Sequence, residues 1–171
     1  MKRLLILRHA KSPAAPELRD FDRPLNDVGR AAAEALGREL LRLGVEFDSV
    51  IASPARRVTD TLDHLAIGLA RTLAPRFDRS IYNADTGTLL DLVRAADDAA
   101  SALLLVGHNP GLAILARMLA ADDGTPDSQS LSAKFSPGTL AEISFAADQW
   151  QAVGEGGGRL VRVIRPSDLA R

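Results

Sequence analysis

The sequence predicts a three-layer α/β/α sandwich with a mostly parallel central sheet, and three observations carry the prediction. Two short, continuous apolar runs, residues 4–7 (LLIL) and 102–106 (ALLLV), have the character of strands buried on both faces. Between the runs lie longer segments whose apolar residues recur at helical spacing. Strands and helices alternate along the chain, with no internal repeat and no linker, so residues 1–171 read as a single domain.

Residues 4–7 are the first strand and run straight into Arg8 and His9. A polar loop rich in Pro, Ala and Asp follows from Ser12 to about Asn26. Asn26 caps a helix with Val28, Ala32, Ala35, Leu36, Leu40 and Leu43 on one side, stopped by Gly44. Residues 47–52 (FDSVIA) are a second strand. Ser53 and Pro54 then supply an N-cap and a first helical position, and Val58, Leu62, Leu65, Ala66 and Leu69 recur behind them. Residues 80–83 (SIYN) make another short strand, after which Thr86 or Thr88 opens a helix through Leu89, Leu92, Val93 and Ala96.

Residues 102–106 are the clearest buried strand. They lead into Gly107, His108, Asn109 and Pro110, a helix start whose inner face is Leu112, Leu115, Ala116 and Leu119. Residues 122–130 read as a loop, and 139–145 and 160–164 as two closing strands. The glycine-rich stretch 154–158 (GEGGG) precedes a strand pattern instead of opening a helix. It therefore predicts a flexible connection or hairpin turn, not a phosphate cradle.

Composition bounds the function. The net charge of −1 gives no electrostatic case for nucleic acid or an anionic membrane, and aromatics at 4% argue against a base-stacking platform. The absence of cysteine removes disulfide, thiolate-metal and thiol chemistry and fits a reducing cytoplasm. The apolar run after Lys2 and Arg3 is too short for a signal peptide, and no segment approaches the ~18 apolar residues of a membrane span. A cytoplasmic protein with neither nucleic-acid nor membrane partner is the expectation. The mixed, modestly charged surface fixes no oligomeric state, with a monomer slightly favoured.

In open α/β sheets ligands bind outside the carboxyl ends of the strands. Arg8-His9, Gly107-His108 and Ser53-Pro54-Ala55-Arg56-Arg57 all fall at such ends. Singly each has a bland reading: a surface histidine, or a solvated pair of helix arginines. His64, off the apolar stripe of its helix, reads as a plain surface histidine. Together the three clusters suit phosphoryl transfer. Arginine forks bind phosphoryl oxygens bidentately, helix starts add backbone donors, and a neutral imidazole can carry the group as phosphohistidine. A metal site is the competitor, but two histidines crowded by arginines, with no carboxylate at ligand spacing, make a poor cation site.

"LRHAKS" (7–12) resembles the Arg-His-Gly signature of the histidine phosphatase superfamily, the phosphoglycerate mutase-like fold, with Ala10 in place of glycine. In this form it is especially similar to the small SixA-type phosphohistidine phosphatases. "DFDRPLNDVGR" (20–30) resembles that group's Arg-Pro-Leu segment, "SPARRVTDT" (53–61) its Ser-Pro-x-x-Arg-x-x-x-Thr motif, and "LLLVGHNPGL" (103–112) its second-histidine motif. The matches span about residues 3–119.

The resemblance implies that His9 is the phosphorylated nucleophile, within a pocket of Arg8, Arg57 and His108. Arg57, not Arg56, falls where the motif places its arginine. Arg23 is a further candidate for phosphate contact, Lys11 and Ser12 border the site, and Asp85 in "YNADTG" is the candidate general acid. The implied protein is a metal-independent phosphatase without a cofactor, acting on a phosphorylated protein, most naturally protein phosphohistidine. A small phosphomonoester substrate is the alternative. A mutase fits less well, with too little chain for a lid, and a non-catalytic phosphate-binding module is the reading from another class.

Overall fold

In the computed structural model, which describes residues 1–169, the strands are β1 (Lys2–Arg8), β2 (Ser49–Ala52), β3 (Arg76–Phe77), β4 (Ala102–Gly107), β5 (Leu140–Phe145) and β6 (Gly158–Ile164). They form one sheet in the order β3-β2-β4-β1-β5-β6. β1 to β4 are mutually parallel, β5 runs antiparallel to β1, and β6 is antiparallel to β5. Five of the six strands therefore share a direction, as the alternating pattern predicts.

The helices are α1 (Asp27–Leu43), α2 (Arg56–Leu69), α3 (Thr86–Arg94), α4 (Gly111–Leu119), α5 (Pro126–Ala133) and the short α6 (Pro166–Leu169). Along β1, Leu5 and Leu7 pack with α1 and α2, while Leu4 and Ile6 pack on the other face with α3, α4 and α5. β4 divides in the same way. Burial on both faces is the reason these strands read as unbroken apolar runs.

The Asn26 side chain accepts the Gly29 N–H at 2.8 Å and caps α1, and Gly44 ends it at φ 65°. The inner face of α1 is rotated from the predicted stripe: Val28 is 61% and Leu43 37% exposed, and the buried residues are Gly29, Ala33, Leu36, Gly37 and Leu40. Backbone contact explains the rotation. A Cβ on Gly68 of α2 would lie 2.1 Å from the Glu34 carbonyl oxygen, and one on Gly37 would lie 2.4 Å from that of Leu65. The helices cross at two glycines, and an apolar count gives glycine no weight.

Two other expectations are corrected. Residues 80–83 are not a strand. A 3-10 turn at Arg79–Ile81, held by the Asp78 carboxylate accepting the Ser80 N–H, stands there, and the edge strand is the earlier two-residue β3. Residues 122–130 are not all loop, because Thr125 caps α5 and Pro126 opens it. That helix buries only Ser128 and Leu131, so it carries no apolar periodicity. The glycine stretch joins antiparallel β5 and β6, but through a longer connection with a 3-10 turn at Trp150–Ala152. Within it Gly158 is the first residue of β6, where a Cβ would meet Ile143 at 2.3 Å. Among the described residues no helix is long and apolar enough to cross a membrane.

This topology sets the place of a site. β1 and β2 hand the chain to helices on one face, whereas β4, between them in the sheet, hands it to the other. In an open α/β sheet such a switch point, here at the carboxyl end of β4, is where a ligand is expected to bind.

Candidate active site

The β1–β4 register pairs Arg8 with Gly107, and the His9 N–H donates to the Gly107 carbonyl at 3.1 Å. The residues that follow the two strands, His9 and His108, are thereby brought side by side, ring centroids 5.4 Å apart. Both are nearly buried, at 7% and 9% exposure.

Nδ1 of His9 lies 2.7 Å from the Ala10 carbonyl oxygen. A carbonyl only accepts, so Nδ1 carries the proton and Nε2 the lone pair. Among the described residues Nε2 has no hydrogen-bond partner. Burial lowers the His9 pKa to about 4, against the opposing Ala10 contact and with help from Arg57, Arg8 and Arg23. Burial likewise takes His108 down to about 3, with Arg57 and then His9 contributing. Both rings are neutral at neutral pH.

Ser53 does not cap α2. The helix begins at Arg56 with Ala55 before it, and the Ser53 hydroxyl lies 2.8 Å from Nε2 of His108. The Ser53 oxygen accepts the Ala55 N–H at 3.3 Å, and among the described residues Nε2 is the only hydrogen-bond partner left for the hydroxyl proton, so Ser53 donates and Nε2 accepts. Nδ1 of His108 then bears the ring's N–H, and it is buried without a partner.

Arg57, in the first turn of α2, is buried. Its Nη1 donates to the Asp20 main-chain oxygen at 2.7 Å and its Nη2 to Asp20 Oδ2 at 3.1 Å, while Nε is buried and unpartnered. Arg8 repeats the arrangement: Nη1 donates to the Phe135 carbonyl at 3.1 Å and Nε is buried and unpartnered. Burial, then Arg57, lowers the Arg8 pKa from its usual value. Thr61 ties the two walls together, donating to the Arg57 carbonyl at 2.6 Å and accepting the Ala10 N–H at 3.0 Å.

Among the described residues five buried side-chain polar atoms lack a hydrogen bond. Two of them, Glu142 Oε2 and Arg162 Nε, face each other as an ion pair at 2.7 Å. The other three are Arg8 Nε, Arg57 Nε and His108 Nδ1. Three desolvated donors on residues neighbouring His9, whose own Nε2 lone pair is free, suit a group with several anionic oxygens and form the candidate seat.

The structure thus brings Arg8, His9, Arg57 and His108 together. Arg56 instead pairs with Asp60 at 2.9 Å on the exposed side of α2, the solvated-charge reading. Arg23 lies beside the site, bonded to the Ser12 and Pro13 carbonyls and, through Nε at 3.0 Å, to Asp20 Oδ1. Its charge is one of those lowering His9. The Ser12 hydroxyl donates to the Pro24 carbonyl, and Lys11 is exposed. Asp85 is the N-cap of α3: its carboxylate accepts the Thr88 N–H at 2.8 Å, and Thr88 holds its pKa below the usual value. An exposed carboxyl kept ionised by a cap has the opposite character from a proton donor. His64 is half-buried, with Nδ1 2.7 Å from Glu34 Oε1, so it joins α2 to α1.

Sequence reasoning missed Asp20 and Tyr82. The Tyr82 hydroxyl donates to Asp20 Oδ2 at 2.5 Å, and its ring stands edge-on to His108 at 5.5 Å. Asp20 opens a three-residue 3-10 turn too short to show a period, and its only local signal is the arginine three residues later. Bonds from Tyr82, then Arg23 and Arg57, lower its pKa to about 2. A cavity of about 470 Å³ lined by Ala14, Ala15, Pro16, Leu18, Asp20 and Arg23 adjoins the site. A larger one, about 760 Å³, lies by the start of β2 and includes none of these groups.

A family model described as the histidine phosphatase superfamily (branch 1) matches residues 4–92. An uncharacterized protein of Mycobacterium tuberculosis is 33% identical over 157 residues, covering 91% of this chain and 96% of its own. Among solved structures, a protein described as a candidate phosphohistidine phosphatase SixA of Nakamurella multipartitia superposes with a TM-score of 0.82 at 29% identity, over 96% of each chain. One described in the same terms from Agrobacterium tumefaciens gives 0.81 at 28% identity, over 96% of this chain and 98% of its own.

Proposed function

From the premise that this chain belongs to the histidine phosphatase superfamily and is a phosphatase, we propose that it works through a phosphorylated His9 and that its substrate is phosphohistidine on a protein. The single observation that carries the chemistry is the set of three unpartnered, buried donors beside the free Nε2 lone pair of His9.

In the first step Nε2 attacks phosphorus, an N–P bond forms, and the bond from phosphorus to the leaving group breaks. The Nε edges of Arg8 and Arg57 and the Nδ1–H of His108 hold the equatorial oxygens, which gather charge in the transition state. In the second step water attacks the phosphoryl group. The bond to His9 breaks, its electron pair returns to Nε2, and phosphate leaves with the water's proton redistributed to solvent. These donors supply the positive charge, so turnover requires no metal ion.

Two observations favour a P–N substrate. A phosphoimidazole leaves readily once its own ring is protonated, whereas an alkyl phosphate needs its leaving oxygen protonated in place. The carboxyls near the site do not serve as acids: Asp20 is held at about 2 and Asp85 is ionised at a helix cap. Two structural neighbours above 25% identity are described as candidate phosphohistidine phosphatases, in keeping with this substrate.

The test compares wild type with His9→Ala on a phosphohistidine protein and on sugar and nucleotide phosphates, in EDTA. Expected are turnover without metal, preference for the phosphohistidine protein, an acid-labile phosphate on wild type, and loss of activity in the variant. Abundant activity in His9→Ala overturns the mechanism. Faster turnover of a small phosphomonoester overturns the substrate.

A further inference from the structure

We infer that Asp20 is a positioning residue: it holds the outer edge of Arg57 so that the inner edge, Nε and the adjoining Nη2 N–H, stays open to phosphoryl oxygens. The inference rests on the phosphoryl seat described above.

A guanidinium presents five N–H groups in a rigid fork, which offers an end edge (Nη1 with Nη2) and a side edge (Nε with Nη2). Asp20 takes the end edge completely. Its main-chain oxygen accepts from Nη1 at 2.7 Å and its Oδ2 from Nη2 at 3.1 Å. The side edge is left with a buried, unpartnered Nε. A fork gripped at one edge cannot rotate its other edge away, so the free donors are aimed before any substrate arrives.

Asp20 is itself held from two sides. The Tyr82 hydroxyl donates to Oδ2 at 2.5 Å, and Arg23 Nε donates to Oδ1 at 3.0 Å. Arg23 is fixed by the Ser12 and Pro13 carbonyls. Tyr82 packs edge-on against Phe21, ring centroids 5.2 Å apart, beside the 3-10 turn at Asp20–Asp22. The chain from Arg57 through Asp20 to Tyr82 and Arg23 therefore joins the first turn of α2 to the loop before α1 and to the segment before α3. Neither Asp20 nor Tyr82 touches the seat in the way the Nε groups do.

The rival physical reading is competition. Asp20 is an anion on a phosphate-binding arginine, and an anion that merely blocks the seat strengthens phosphate binding when it is removed. The two readings differ in sign.

The experiment measures the tungstate inhibition constant, kcat and KM for wild type, Asp20→Ala, Asp20→Asn, Tyr82→Phe, Arg57→Ala and the Asp20→Ala/Arg57→Ala double variant. Positioning predicts a roughly tenfold weaker tungstate inhibition and a lower kcat/KM in Asp20→Ala. It predicts partial recovery in Asp20→Asn, which keeps one acceptor oxygen, and a smaller loss of the same sign in Tyr82→Phe, which removes one hydroxyl from an intact fold. In the Arg57→Ala background removing Asp20 has no further effect, because the group it positions is gone. Tighter tungstate binding in Asp20→Ala or Tyr82→Phe overturns the inference, as does an equal loss with and without Arg57. Either result leaves the His9 mechanism standing, since that fails only if His9→Ala stays active.

Discussion

The Ser53 hydroxyl donates to Nε2 of His108 across 2.8 Å, and that bond decides which nitrogen of His108 faces the seat as a donor. A neutral imidazole has one N–H. With Nε2 accepting from Ser53, the N–H is at Nδ1, the atom left without a partner. Ser53→Ala is therefore expected to cost activity through the tautomer, lowering kcat on the order of tenfold with a smaller change in KM. Proton–nitrogen NMR of the His108 ring checks the cause. A variant ring that keeps its N–H at Nδ1 refutes the assignment even if activity falls.

Gly68→Ala is expected to destabilise the protein by about 3 kcal/mol, the upper end for overpacking, because the new methyl would stand 2.1 Å from the Glu34 carbonyl oxygen. Backbone, not a movable side chain, is in the way, so α1 and α2 must separate. Urea unfolding measures the loss. Activity is expected to fall with it, since α2 carries Arg57. Unchanged stability contradicts the close crossing.

Stability is expected to fall with pH through a window set by the two site histidines. Folded His9 and His108 have pKa values of about 4 and about 3, against an ordinary 6.5 in the unfolded chain. Between these values the unfolded chain binds more protons, so the unfolding free energy rises with pH and drops as pH falls from 6.5 toward 4. The measurement compares thermal midpoints of wild type and a His9→Asn/His108→Asn variant between pH 6.5 and about 5, above the range where ordinary carboxylates titrate. The variant is expected to show a shallower fall. Equal slopes count against the depressed values.

Much of the site was legible in sequence because its parts stand at strand ends. β1 and β4 are apolar on both faces, and an unbroken apolar run halting at Arg8-His9 and Gly107-His108 marks where each strand leaves the sheet. Arg57 was legible by its spacing from Ser53 in a motif. The role of Ser53 was not: Ser-Pro before a helical pattern reads as a cap, and the competing bond to His108 joins residues 55 positions apart. α5 went unread because it buries too little to show a period, and the face of α1 was misjudged because its closest contacts are glycines.

The alternation of strands and helices, the family's motifs and the convergence of two histidines and an arginine on one rim follow from the sequence alone, because periodicity and strand ends are local properties. Tertiary structure decided the protonation and aim of those groups. Burial keeps both histidines neutral, the Ala10 carbonyl and the Ser53 hydroxyl assign their tautomers, and Asp20 turns Arg57. Each of these depends on burial or on a contact, mostly between distant segments, and desolvation and hydrogen-bond direction exist only once the chain has folded around them.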